Sequence, residues 1–270
     1  MIFDLSKVFL SRNDKSIGLK FPSQLDKDLA YFIGIHLGDG TMNKYNKYYY
    51  SIGYGGHLVD EYDFYSIYIN NLIFKFFNKK FNFYEKKSKT GQYIELCTQS
   101  KGIFTFLNKS LGIQPGPKTH NSIPDIIKNS NFKTDFIRGL ADSDFSLTFK
   151  NNGTYHSYPN IIWNPSNKFL MTEVNIELEN LGFKTFTLFD FKKKRYNKYY
   201  ISNQLEISGK IQLDKWMKEI GFNSRKHLTK YLIWKKFGFC PPHTTLPERE
   251  KILKGDLDPY YFYKALPKSL

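Results

Sequence analysis

Apolar residues along this chain fall into two near-copies of one pattern. An apolar segment at helical spacing, Phe32-Ile-Gly-Ile-His-Leu-Gly-Asp39-Gly40, recurs as Ile137-Arg-Gly-Leu-Ala-Asp-Ser-Asp144-Phe145, with the second aspartate 105 residues after the first. Each copy runs into alternating, strand-like stretches that predict a hairpin. Residues 41–44 turn back through 48–54 in one half, and 146–150 turn at Asn152-Gly153 towards 158–163 in the other. Helical periodicity returns over about 60–77 and 167–181. A second hairpin follows in each half, with 93–98 and 199–207 as return strands. A last short helix closes at Gly112 or Gly221, since glycine readily ends a helix.

The repeat extends well beyond the motifs. Lys86-Lys87-Ser88-Lys89 matches Lys192-Lys193-Lys194-Arg195, and Leu111-Gly112-Ile113 matches Ile220-Gly221-Phe222. The pattern αββαββα, used twice, predicts an α+β protein of two pseudosymmetric halves with antiparallel sheets. The expected divisions are an N-terminal extension (1–24), a first repeat (25–113), a linker punctuated by Pro115, Pro117 and Pro124 (114–130), a second repeat (131–240) and a C-terminal appendage (241–270) with one short helix over 246–253.

Within the motifs, small residues recur four apart, at Gly34 and Gly38 and at Gly139 and Ser143. That spacing lines one helical face with little bulk and lets two backbones approach closely. An Asp at a helix C-terminus faces the negative end of the dipole, at a cost of ~0.3–1 kcal/mol. Two such carboxylates side by side repel further, and a bound cation relieves both. Mg²⁺ suits the pair because it takes oxygen ligands, keeps waters and completes its shell with phosphate oxygens; Mn²⁺ is the natural substitute.

Charge points the same way. A net charge of +15 over 270 residues favours a polyanionic partner, because lysines and arginines release the counterions condensed on nucleic acid. With 41% hydrophobic and 18% aromatic residues the chain can build a core, so disorder is excluded. No apolar run is long enough to span a bilayer, and the N-terminus lacks a signal-peptide pattern. A soluble intracellular protein without a membrane partner is expected, working in a prokaryotic cytoplasm or in the organelle that encodes it. Cys97 and Cys240 are too few and too distant for a disulfide framework or a zinc site.

The paired segment resembles the LAGLIDADG motif of homing endonucleases, in its single-chain, two-motif form, over about 25–240. The resemblance implies motif helices packed at the interface between halves, and two four-stranded sheets forming a saddle in the DNA major groove. It also implies a divalent metal site at Asp39 and Asp144, with the preceding Gly38 and Ser143 as accompanying candidates. A basic residue near the metals is a further family feature; by position after the last helix of each half, the candidates are Lys118 and Lys226, with Gln99 and His57 as weaker ones. His36 is read as a core residue of the motif helix.

The basic hairpin positions are the candidate DNA contacts: Lys44, Lys47, Lys87, Lys89, Lys150, Lys192, Lys194, Arg195 and Lys198, with Lys86 beside them. Two departures from the motif stand out. The final Gly is kept as Gly40 but is Phe145 in the second copy, and the earlier Asp is kept as Asp142 but is Leu37 in the first. A bulky Phe145 is expected to tilt Asp144 or narrow the phosphate path. The implied activity is monomeric, site-specific, double-strand DNA cleavage at a long asymmetric site. The alternatives are a non-cleaving binder, such as an intron RNA maturase or a DNA-binding regulator, and a membrane-associated basic protein.

Overall fold

A computed structural model describes residues 2–88, 91–195 and 198–264. After a short helix α1 (Arg12–Ser16), the first half runs α2 (Lys27–Gly38), β1 (Gly40–Lys44), β2 (Tyr50–His57), α3 (Leu58–Asp63), a π-helical segment (Phe64–Ile69), α4 (Asn70–Phe77), β3 (Asn82–Ser88), β4 (Gly91–Gln99) and α5 (Lys101–Thr105). The helix predicted over 60–77 is thus interrupted in its middle. A short α6 (Asp125–Lys128) leads into the second half: α7 (Lys133–Asp144), β5 (Phe145–Asn152), β6 (Tyr155–Trp163), α8 (Lys168–Asn180), β7 (Thr185–Arg195), β8 (Lys198–Ser208) and α9 (Lys210–Glu219).

The two sheets repeat one topology, β1-β2-β4-β3 and β5-β6-β8-β7, antiparallel throughout. Gly112 (φ +77°), after a π-helical continuation of α5 over Phe106–Ser110, and Gly221 (φ +73°), after α9, close the last helices in the left-handed region, as the pattern predicts. The hairpin turn of the second half sits one residue later than predicted. Asn152 pairs with Tyr155 and ends β5, which leaves Gly153 (φ +75°) and Thr154 as the turn.

Helices α2 and α7 pack against each other with backbone meeting backbone. A Cβ on Gly34 would run into Phe136 O and Leu140 N, one on Gly139 into Tyr31 O, and one on Gly38 into the Ser143 side chain. The stripe of small residues therefore serves close approach. Each sheet buries its inner face against the helices of its half: Met42, Ile52, Tyr54, Ile94 and Leu96 in the first, and Leu147, Phe149, Ile161, Leu205 and Ile207 in the second, where α8, α9 and the later α10 (Arg225–Phe237) pack on the sheet.

Helix α10 is not marked in the repeat pattern; it packs on β5 and α3, and α11 (Leu246–Lys254) packs on α10. A four-residue α12 (Tyr261–Lys264) follows. Among the described residues no helix is long and apolar enough to cross a membrane. Both cysteines are free thiols.

Candidate functional site

The two motif aspartates stand together where α2 and α7 hand over to the first strand of each sheet. Asp39 caps α2, its N–H donating to Ile35 O (2.9 Å), and Asp144 is the last residue of α7. A Cβ on Gly38 would lie 3.3 Å from the Asp144 Cβ, so bulk at Gly38 would crowd the second carboxylate.

Each carboxylate is held by one aromatic donor from its own half. Tyr65 donates its hydroxyl to Asp39 Oδ2 (2.5 Å), and Trp163 donates Nε1–H to Asp144 Oδ2 (2.7 Å). Tyr65 belongs to the π-helical segment, a distortion found disproportionately at functional sites. Trp163 ends β6 and is the register partner of Phe145.

Burial raises both aspartates. Asp39 is pushed up to about 7, first by desolvation, then by the Glu61 and Asp144 charges, against the Tyr65 hydrogen bond and the Lys226 charge. Asp144 is also raised by desolvation, opposed by Trp163, Lys118 and Lys226. Its side chain keeps an open edge to solvent, whereas Asp39 is half-buried.

Both candidate lysines reach this site. Gly116 N donates to Met42 O (2.8 Å), which pins the linker along the free edge of β1. Two residues on, Lys118 sends its ammonium to the carbonyl of Gly38. Burial lowers the Lys118 pKa, and Asp39 and Asp144 raise it again. Lys226 arrives on α10 and pairs with Glu61 Oε1 at 2.5 Å, in a bridge 18% and 7% exposed that joins second half to first. Glu61 also accepts from His57 N (2.7 Å), while the His57 ring caps α3. Gln99 ends β4 opposite Ser51.

Asp142, the extra carboxylate of the second motif, has a positioning task. Fully buried, it accepts from Tyr31 Oη (2.7 Å) and Asn223 N (2.8 Å), and so fixes the entry to α10 and with it Lys226. Desolvation pushes its pKa up to about 6. His36 is buried against Tyr54, its Nδ1 2.9 Å from the Tyr54 hydroxyl, and desolvation holds it neutral with a pKa of about 3.

Phe145 lies elsewhere than expected. It is 1% exposed and stacks on Trp163 at 4.9 Å, beside Trp216 at 6.1 Å, so it neither covers the carboxylates nor narrows a path to them. In the first half a Cβ at Gly40 would run into His36; in the second, the position matching His36 is Ala141, which frees that room. Replacing Phe145 with Gly should therefore destabilise the protein by ~3–5 kcal/mol, as core Phe truncations do, without improving the site. Urea unfolding checks this, and a variant as stable as the parent would contradict it.

Three carboxylates (Asp39, Asp144, Glu61) thus meet two ammonium groups (Lys118, Lys226), which leaves negative charge uncompensated on hard oxygen donors. A divalent cation that takes oxygen ligands fits the Asp39–Asp144 pair. Among the described residues no three or more His, Cys, Asp or Glu converge as a metal cage. The other two metal candidates differ. Gly38 offers a carbonyl, already taken by Lys118. The Ser143 hydroxyl donates back to Gly139 O and Leu140 O (both 3.0 Å) and is spent within its own helix.

On the outer sheet faces the register re-sorts the basic residues. Lys150 shares the outer face with Ser146 and Thr148 and pairs with Glu206 (2.6 Å). Lys86, opposite Tyr93, pairs with Glu95 on the matching face of the first sheet. Lys87 falls on the opposite parity, and so does Lys44, which lies over the Tyr50 ring at 5.3 Å. A bulge between Leu188 and Phe191, with Asp190 at φ +52°, shifts the parity of β7. Lys192 and Lys194 then align with the Leu205 and Ile207 side, and Lys193 takes the outer one. Lys47 is exposed in its hairpin turn. Arg195 and Lys198 are register partners, and Lys89 lies outside the described residues.

No family model matches the sequence, and no curated protein matches it. Solved structures do. A variant of I-DmoI in complex with its target DNA, nicked in one strand and in the presence of Mn, superimposes with a TM-score of 0.50 at 20% identity, covering 72% of this chain and 95% of that one. The homing endonuclease I-WcaI bound to its DNA recognition sequence (TM-score 0.48, 15% identity, 78% and 87% covered) is also similar. So is the I-LtrWI LAGLIDADG homing endonuclease bound to target DNA (0.48, 11%, 90% and 98%). The likeness to the I-DmoI variant is one of fold: two four-stranded antiparallel sheets about a packed helix pair.

Proposed function

We propose that this chain is a LAGLIDADG-type homing endonuclease that hydrolyses one phosphodiester on each strand of a long, asymmetric DNA site, acting as a monomer. The observation that carries this reading is the meeting of Asp39 and Asp144 at the ends of interlocked helices, with Lys118 and Lys226 on either side. Asp39 and Asp144 would hold the divalent cation, which when bound supplies Lewis-acid stabilisation and an acidified water.

The remaining contributions are the chain's own. Tyr65 and Trp163 each fix one oxygen of a carboxylate and leave the other open. Lys118 and Lys226 place positive charge where a pentacovalent phosphate would accumulate negative charge, in a partly dry site where such charge counts most. The outer sheet faces, with their polar, aromatic and lysine side chains, suit a duplex major groove. Phe145, the residue that favoured a non-cleaving maturase or regulator, belongs to the core and lends that reading no support.

The direct test incubates the protein with DNA from the flanks of its gene, with Mg²⁺ or with chelator. Cutting that stops with chelator supports the reading, and no cutting on any cognate-like site would overturn it.

A pH dependence follows from Asp39. With a pKa near 7 in the cation-free protein, its carboxylate is protonated below neutrality and must lose that proton to bind a cation. At subsaturating Mg²⁺, cleavage should therefore rise about tenfold per pH unit below 7 and level off above it. A profile flat from pH 5.5 to 8 would contradict this.

A further inference from the structure

Beyond the carboxylate site, the C-terminal segment encloses a cavity of about 340 Å³ against the free edge of β5. Its walls include Thr148, Lys230, Arg249, His243 and Thr244, with Asp60 as the one carboxylate among the lining residues. That volume lies at the small end of ligand pockets.

Two cations line the cavity, Arg249 buried and Lys230 half-buried. Arg249 is 0% exposed; Nε–H donates to Thr229 Oγ1 (3.0 Å) and Nη1 to Thr244 O. Nη2 makes no hydrogen bond and has only a 3.5 Å ion-pair contact with Asp60 Oδ1, which already accepts from Leu246 N at 2.5 Å. Lys230 donates to Leu147 O (3.1 Å), which uses one of its three N–H groups. Burial lowers its pKa to about 8, and the Arg249 charge adds to the fall.

Of the neighbouring groups, Glu248 at the start of α11 offsets part of the Arg249 charge. Lys226 is committed to Glu61, His227 is held neutral by burial, and the Cys240 thiol is pushed up to about 11 and stays uncharged. Among the lining residues Lys230 and Arg249 face a single carboxylate, Asp60, and Lys230 keeps unspent N–H donors.

We propose that this cavity binds a phosphate-class oxyanion, and that its occupant in the working complex is a backbone phosphate of the bound nucleic acid. The choice of occupant rests on the nucleic-acid reading above; the oxyanion site does not. Thr148 ties the cavity to the groove, since it stands on the outer face of β5 four residues, or about 13 Å, beyond Asp144. Lys230 offers a point charge with spare donors, and the buried Arg249 guanidinium adds positive charge behind it, which suits a tetrahedral anion. The first half has no equivalent of this C-terminal segment, so the contact would belong to one side of the site only.

The test uses the full chain and inorganic phosphate. Calorimetric titration of the DNA-free protein should show one phosphate site, weakened at least tenfold in Lys230→Gln and retained in Lys230→Arg, with unfolding curves showing that both variants are folded. In a second arm, the salt dependence of DNA affinity should flatten by about 0.9 in log-log slope in Lys230→Gln. Phosphate binding lost in Lys230→Gln together with a flatter slope supports the whole proposal. Lost phosphate binding with an unchanged slope keeps the oxyanion site and overturns the backbone phosphate as its occupant. No phosphate binding by the parent protein, or equal binding by Lys230→Gln, overturns the proposal even where DNA is bound and cut, and phosphate binding without any DNA binding would instead count against the nucleic-acid reading.

Discussion

Replacing Asp39 with Asn should lower strand cleavage on the order of 10³-fold or more while target affinity stays within about threefold. The same substitution should make the cation-free protein more stable at neutral pH. The two effects share one cause. Desolvation and the nearby Glu61 and Asp144 hold the folded-state pKa of Asp39 at about 7, far above its unfolded value near 3.8. Between those two values the folded state keeps a proton that the unfolded chain has lost. Stability from this group is therefore present at low pH and drains away as pH rises towards 7, by up to ~1.4 kcal/mol per unit.

An asparagine at this position cannot ionise, so the Asp39→Asn variant escapes that loss, and Tyr65 still finds an oxygen to donate to. Urea unfolding at pH 5 and pH 7.5 in chelator should show a gap between the variant and the parent that widens with pH, by on the order of 2–4 kcal/mol. Cleavage at the parental rate, or a parent and variant with identical pH dependence, would contradict the assignment. Loss of activity with gain of stability also separates a functional role from simple misfolding.

The second large effect is steric. Gly139→Val should destabilise the protein by ~3 kcal/mol or more, because the new side chain meets Tyr31 O and the backbone of Ile35 rather than yielding side chains. For a chain of this size that corresponds to a fall in Tm of roughly 6–12 °C. The control is Gly55→Ala, where the added Cβ meets only Ile94 O at an ordinary 3.8 Å and should change stability by less than ~1 kcal/mol. If thermal melts place the two variants within a degree or two of each other, the interlocked helix pair is not what sets stability.

Much of this arrangement is legible in local pattern. The helix–aspartate handover, the four-residue stripe of small residues and the glycine helix ends are all short-range signals, and the duplicated chain doubles each of them. Lys118 and Lys226 are marked by their place in the repeat, and both come to the carboxylates.

What the sequence hides depends on long-range geometry. Tyr65 and Trp163 come 26 and 19 residues after the aspartates they hold, from different kinds of element, so no shared spacing marks them. Glu61 reads as an ordinary first-turn helix acid until α10 brings Lys226 to it across the halves. The lysine candidates on β7 slip by one position when parity is counted through an unbroken strand. Asp190, a residue type that tolerates the left-handed region, carries a bulge there.

The glycine contact between α2 and α7 has a mechanical consequence. With the two backbones in contact at Gly34 and Gly139, α2 and α7 have little room to shift against each other. Halves joined in that way have little freedom to follow a bound partner. On the proposed reading the duplex is the compliant partner, and sites whose base steps bend at low cost will seat more readily than stiffer sites offering the same contacts.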